Sequence, residues 1–307
     1  MLVDSVNDYI TLRKAFGCKV VDEERYLKSF ANFASSVGDT YVREVTSIEW
    51  ARKGKTERQR ALRLKTVVRF AQYLKIELSE HEIPAKDVFI TKQVRPVPYI
   101  FTQVEIQDLM KAALNIRSSD SLRPIQFYTI IGLLASTGMR ISEVLNLQIG
   151  DISNDGIKII NSKYRKSRLI PVHNSTQKAL GEFLALRTAY PSQCDNVFIS
   201  TVGTPLFHES VYNIFNKLLL SIHPRNNAKP RLIDFRHTFA TRALQIQAAN
   251  RDHVGQQILA LTHYLGHAHV ESTYWYLENT PELMVDIATS CVKFIEEMHY
   301  DCNSSTH

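Results

Sequence analysis

Seven histidine and aromatic side chains crowd the segment Leu261–Leu277, LTHYLGHAHVESTYWYL: His263, Tyr264, His267, His269, Tyr274, Trp275 and Tyr276. Taken alone, aromatics at helical spacing read as core packing. Two arginines upstream change that reading. Arg140, in TGMRISEVLNL, and Arg236, in DFRHTFAT, each stand where a helix is expected to start. A cation there opposes the helix dipole, so its more plausible partner is an anion, held together with the free amides of the first turn. Between them the turn SKYRKS presents Lys163, Arg165 and Lys166 at the tip of an expected β-hairpin. One lysine on a hairpin tip usually faces solvent; three cations so close together could instead enter a DNA groove. Two arginines at helix starts, a hairpin lysine and a histidine–tyrosine cluster form one constellation.

The elements that position these residues fall into two groups. Ser5–Phe16 and Asp22–Val37 read as amphipathic helices ended by Gly17 and Gly38, the second with a stripe of Tyr26, Leu27, Phe30, Phe33 and Ala34. A short helix over Ser47–Arg52 is anchored by Trp50. A fourth, Thr56–Leu74, is expected to bury Leu62, Val67, Phe70, Ala71 and Leu74. Arg52, Lys53, Lys55, Arg58, Arg60, Arg63, Lys65 and Arg69 load this region with positive charge against the single acid Glu57. A face shaped only for solubility mixes signs, whereas one-sign loading makes a field that attracts phosphates. Pro84, Pro96 and Pro98 mark an extended linker, because proline disfavours helix in itself and in the residue before it. The expected division is a helical domain over residues 1–93, a linker over 94–99 and a second domain over 100–307.

In the second domain Thr102 with Glu105 spells a capping box opening a helix to Leu114, and Pro124 opens a nearly all-apolar, central helix that stops at Thr137–Gly138. Gly156–Asn161 and Arg168–His173 read as the strands of the hairpin. Helices follow at Ser175–Arg187 and His208–Ile222, and Asp234 is the expected N-cap of the helix that carries Arg236. The fold class is mainly α with a small β-hairpin: an all-helical N-terminal domain and an α+β second domain.

Composition bounds the rest. At 307 residues, with 44% hydrophobic and 22% charged residues, the chain has the makeup of a globular protein of two ordinary domains. Its net charge of +6 suggests a polyanionic partner, nucleic acid before membrane surface. Cys18, Cys194, Cys291 and Cys302 are far apart, with neither CxxC nor metal-ligand spacing, as expected of reduced thiols in the cytoplasm. No signal peptide is legible in MLVDSVNDYI, and the longest apolar run, Phe127–Ala135, is too short to span a bilayer.

Four segments in register, TGMRISEVLNL, SKYRKSRLIPV, DFRHTFAT and YLGHAHVESTYWY, resemble the active-site boxes of the tyrosine recombinase (phage integrase) family over about residues 100 to 285. The N-terminal unit resembles that family's SAM-like core-binding domain more loosely, and TYWYLENTPELM resembles its transposon-associated branch. The resemblance implies that Arg140 and Arg236 clamp the scissile phosphate, as arginine's planar, permanently charged fork suits. Lys163 would protonate the departing 5′ oxygen, His267 would hydrogen-bond the phosphate, and Tyr276 would be the nucleophile of a 3′-phosphotyrosyl intermediate. The covalent link conserves the phosphodiester energy, so neither nucleotide nor metal is required. The remaining DNA contacts would come from Arg52, Lys53, Lys55, Arg58, Arg60, Arg63, Arg165 and Lys166. Tyr274 is the rival nucleophile; residues two apart on a helix face nearly opposite ways, and the nine-residue step from His267 favours Tyr276. His263, Tyr264, His269 and His237 read as structural. The implied partners are double-stranded DNA and three further copies in a tetramer on two sites, with sister recombinases a further option, and the helix Pro281–Met298 docks either on a neighbour or on its own domain.

One position departs from the family pattern. Ile233 stands where that pattern has histidine or lysine, which would leave Glu143 without its partner. Loss of one assisting donor costs about ten- to a thousandfold rather than everything, and Lys166 and His237 are candidate substitutes. A working recombinase is therefore set against a catalytically weakened accessory protein that binds DNA with the same fold. A relaxing enzyme of the type IB topoisomerase kind is a third option.

Overall fold

The computed structural model describes residues 2–18, 20–89, 96–118, 120–160, 167–222, 224–225, 228–247, 254–267, 269–270 and 273. The chain divides into two compact units, Met1–Arg95 and Pro96–His307.

The N-terminal unit is built from α1 (Leu2–Ala15), α2 (Val21–Ser36), α3 (Glu44–Arg52) and α4 (Glu57–Leu74). Its core is aromatic at the centre. Trp50 is 1% exposed, meets the rings of Phe30 and Tyr26 edge-on, and donates from Nε1 to Ser29 Oγ at 3.2 Å. Thr56 caps α4 by accepting the Gln59 amide. The buried face of α4 is Leu64, Val67, Val68, Phe70, Ala71 and Leu74. Leu62, expected inside, is 49% exposed; Leu64 occupies the inward position, so the apolar stripe starts two residues later than expected. Val42, between α2 and α3, donates its amide to His81 Nδ1 at 3.0 Å, and burial pushes that imidazole below its ordinary range.

The C-terminal unit contains α5 (Gln103–Leu114), α6 (Leu122–Thr137), α7 (Ile141–Leu145), β1 (Ile152–Ser153), β2 (Gly156–Ile159), β3 (Arg168–Ile170), α8 (Asn174–Thr188), α9 (His208–Leu218), α10 (Ile233–Gln247) and α11 (Val254–Leu265). The capping box of α5 is present in both directions: Thr102 Oγ1 accepts the Glu105 amide and Glu105 Oε2 accepts the Thr102 amide. α6 runs through the middle of the unit, and its Phe127, Ile130, Ile131, Leu133 and Leu134 are all at most 2% exposed. The strands form an antiparallel sheet in the order β1-β2-β3, with Ile157 opposite Ile170 and Ile159 opposite Arg168. β1 was not expected, because two residues carry no legible alternation. The helix expected over His208–Ile222 ends at Leu218 and tightens into a 3₁₀ turn over Leu219–Ser221. Asp234 lies inside the first turn of α10 rather than capping it, and its carboxylate accepts the amide and guanidinium of Arg231.

Among the described residues no helix is long and apolar enough to cross a membrane, and Cys18 and Cys194 are free thiols.

Candidate active site

The site is organised by the carboxyl end of α11. A helix leaves its last four carbonyls without internal partners, and in α11 these belong to Thr262, His263, Tyr264 and Leu265. The first two are taken by a Schellman turn, His267 N donating to Thr262 O and Gly266 N to His263 O, each at 3.0 Å. The next two receive arginines: Arg168 Nε donates to Tyr264 O at 2.7 Å, and Arg236 Nη2 to Leu265 O at 2.6 Å. Arg140 Nη2 reaches the following carbonyl, Gly266 O, at 3.4 Å. Three guanidiniums from three separate segments thus meet three consecutive carbonyls at the negative end of one helix dipole.

Two motif glycines make these approaches possible. Gly138 ends α6 with φ +61°, and a Cβ there would lie 2.6 Å from the Phe239 ring; its carbonyl accepts Arg236 Nη1 at 3.0 Å. Gly266 has φ +66°, and a Cβ there would lie 2.9 Å from the Arg168 guanidinium. Each glycine adopts a left-handed conformation costly for other residues and leaves room for a side chain from another segment.

Glu143 balances the charge. Its Oε1 accepts from Arg140 Nη1 at 2.8 Å and Arg168 Nη1 at 3.0 Å; its Oε2 accepts from the Arg140 amide at 3.0 Å and Arg168 Nη2 at 2.9 Å. Burial alone would push this carboxyl up, but the Arg168 hydrogen bonds, the Arg140 amide and both guanidiniums outweigh it and hold it down at about 2. The expectation that Glu143 had lost its partner is therefore corrected: Arg168 and Arg140 both pair with it, although position 233 holds isoleucine. The Arg140 amide is also engaged by Glu143. Ile233 is 37% exposed at the start of α10, one turn before Arg236.

His267 follows the Schellman glycine directly. Its Nδ1 lies 2.8 Å from Thr273 Oγ1, which lies 2.9 Å from Thr262 Oγ1. Burial first, then Arg236, Arg140, Arg168 and His237, lower this imidazole to about 3, so it is neutral at physiological pH. His237 is lowered to about 4, again chiefly by burial, with Asp234 opposing and Arg231 and Arg236 assisting. Tyr264 stacks on Phe239 with ring centroids 5.3 Å apart, and burial raises its phenol to about 12. His263 and His269 are exposed.

The structure thus brings Arg140, Arg236 and His267 together. Lys163, Arg165, Lys166, Tyr274, Tyr276 and the helix Pro281–Met298 lie outside the described residues. In the N-terminal unit Arg52, Lys53, Lys55 and Arg58 are exposed, with Lys53 Nζ also 3.7 Å from the centroid of the Phe33 ring. Two others of the expected set are engaged within the unit. Arg60 donates to Gly54 O and to Glu57, and Arg63 lies 4.0 Å from the centroid of the Trp50 ring.

Sequence reasoning missed Arg168 and Thr273. A signal for Arg168 existed: side chains two apart on a strand share a face, and Ile170 is fully buried, so Arg168 points inward and needs a partner.

Residues 99–282 match the Phage integrase family. A putative integrase/recombinase of Sinorhizobium fredii, y4rB, is 32% identical, with 91% of this chain and 93% of that protein covered. The tyrosine recombinase XerC of Shewanella amazonensis is 27% identical over 73% of this chain and 71% of its own. Among solved structures, XerH recombinase bound to palindromic difH substrate superposes with a TM-score of 0.61 at 19% identity, covering 86% of this chain and 77% of that one. The Tn1549 transposon integrase in complex with transposon right end DNA reaches 0.61 at 15% identity, covering 92% and 99%. The chain belongs to the phage integrase family and is a tyrosine-type site-specific recombinase.

Proposed function

We propose that this recombinase cuts and rejoins duplex DNA with Arg140, Lys163, Arg236, His267 and Tyr276, in the service of integrating, excising or transposing a mobile element. The observation that carries the reading is the gathering of Arg140, Arg236 and His267 on the end of α11. In this reading Arg140 and Arg236, braced from behind by carbonyls, donate to the non-bridging oxygens of one phosphate. His267 acts here as a neutral donor: with the Thr273 hydroxyl donating to Nδ1, the proton sits on Nε2, the atom this reading assigns to the same phosphate. Tyr276 Oη attacks phosphorus and gives its proton to water, the bond to the 5′ oxygen breaks, and Lys163 protonates that oxygen. The free 5′ hydroxyl of a second strand then reverses the step. Charge that develops on the phosphorane meets donors already in place, which is where most of the acceleration arises.

The exposed cations Arg52, Lys53, Lys55 and Arg58 are assigned to the DNA backbone, making the N-terminal unit a core-binding domain. A structure of lambda integrase shows a tetramer bound to a Holliday junction; a tetramer on two sites is our reading for this chain too, with sister recombinases able to supply some of the copies. Ile233 supports the second reading, a weakened DNA-binding accessory protein, because isoleucine can offer the phosphate no donor.

A nicked suicide substrate decides between them. The duplex is selected by this chain from a random-sequence pool, and covalent protein–DNA complex is read on a denaturing gel. A covalent band lost in Tyr276→Phe but kept in Tyr274→Phe is expected. An increase of about tenfold or more in Ile233→His would show that the missing donor limits the rate. Tight binding without any band in the wild type would favour the accessory protein.

A further inference from the structure

We infer that Arg168 is a positioning residue of the recombination reaction, acting through Glu143 to keep Arg140 available to the scissile phosphate. The inference rests on the proposed roles of Arg140 and Tyr276 and adds a residue to them.

Arg168 joins the end of α11 to the carboxylate that holds Arg140. It leaves the start of β3, donates through Nε to Tyr264 O of α11, and grips both oxygens of Glu143, the residue that also holds Arg140. Its three nitrogens are all engaged and its side chain is only 12% exposed, whereas that of Arg140 is 23% exposed. Arg168 therefore reads as a brace, and Arg140 is the more open of the two arginines that share Glu143. Its seat is built for it, because the space beside Gly266 would be closed by a single methyl group.

Charge gives the brace its purpose. One carboxylate shared by two guanidiniums leaves a net positive charge beside the phosphate site. Without Arg168, Glu143 would face Arg140 alone, and carboxylate and guanidinium would close into a bidentate pair. Such a pair satisfies the donors that the phosphate needs. Arg168 thus keeps Arg140 from being neutralised by its own partner.

The test compares cleavage of three substrates by wild type, Arg168→Gln and Arg168→Lys, with the scissile position mapped from the wild-type covalent complex. On the ordinary phosphodiester, Arg168→Gln is expected to form covalent complex about ten- to a hundredfold more slowly, less than the loss of a direct donor, while binding the duplex equally well. Arg168→Lys, which keeps charge but not the fork, should fall between. A methylphosphonate at the scissile position lacks the negative charge that Arg140 meets, so the deficit of Arg168→Gln should nearly vanish there. A 5′-phosphorothiolate, whose sulfur leaves without taking a proton, should not relieve it.

An equal deficit on all three substrates would make Arg168 merely structural, and relief by the phosphorothiolate alone would place its action on Lys163; either result overturns the inference. Should Arg168→Gln melt too low to assay, Arg168→Gln in the Glu143→Gln background decides. With the carboxylate gone, a brace against it is no longer needed, so the added cost of Arg168→Gln should shrink; an undiminished cost overturns the inference. Failure of wild type to form covalent complex would instead remove the catalytic reading itself.

Discussion

The chain uses arginine in two ways that contrast at every level. Arg140, Arg168 and Arg236 in the C-terminal unit are held by carbonyl oxygens and a buried carboxylate, Arg236 being 2% exposed. Arg52 and Arg58 of the N-terminal unit stand in solvent with their neighbours Lys53 and Lys55. A guanidinium held from behind gives up rotamer freedom during folding and meets a ligand already ordered. One in solvent contributes a field of short reach that any phosphate can share. The first arrangement suits chemistry at one phosphate and the second suits tracking many.

The contrast breaks most visibly at Arg236. Arg236→Ala removes a proposed phosphate donor and strands the carbonyls of Gly138 and Leu265, so two costs fall together. Covalent complex formation is expected to drop by about a hundred- to a thousandfold. The melting midpoint should fall as well, because unsatisfied buried acceptors cost about 1–3 kcal/mol each. Arg236→Lys should recover more stability than activity, since one ammonium cannot span both carbonyls and a phosphate. Parallel recovery of rate and melting temperature would argue that Arg236 is only structural.

Acid should find the C-terminal site next. His267 and His237 sit at about 3 and about 4 in the folded chain, below the ordinary 6.5. A depressed histidine means that the unfolded chain binds the proton first, so stability is complete above about pH 6.5 and drains as pH falls toward 4. The slope is at most about 1.4 kcal/mol per pH unit for each group, and smaller for His267, which keeps some contact with solvent. Glu143, held at about 2, adds its loss only below the ordinary carboxylate range of 4.5. Thermal melts between about pH 7 and about pH 4.5 should show a shallower decline in His267→Gln and His237→Asn than in wild type. Parallel curves would mean that neither histidine is held neutral by the fold.

How far all this was legible in the sequence differs between the same two regions. The N-terminal helices, the Thr102 capping box and the stop at Gly138 could be read because local chemistry sets them. Leu62 was misplaced since one apolar residue at the margin of a stripe fits either side of it. Arg140, Arg236 and His267 stood out by type and spacing. Their convergence on α11 did not, because carbonyl partners are main-chain atoms that no residue letter announces. Arg168 was hidden for the same reason, and because its carboxylate lies 25 residues away in another segment.

The smallest expected effects belong to the exposed cations, and they separate field from structure. Lys55→Ala or Arg58→Ala removes an exposed side chain, so stability should stay within about 0.5 kcal/mol. If each neutralises one phosphate, the slope of log affinity against log salt on a mixed-sequence duplex should shallow by about 0.9 per substitution. Arg63→Ala serves as the inverse control. Its guanidinium covers the Trp50 ring at 4.0 Å, so its loss should cost about 0.5–1 kcal/mol of stability and leave the salt slope unchanged. A shift of slope in Arg63→Ala and none in Lys55→Ala or Arg58→Ala would reverse the assignment within this unit, since a cation bound to an indole face and one bound to DNA draw on the same charge.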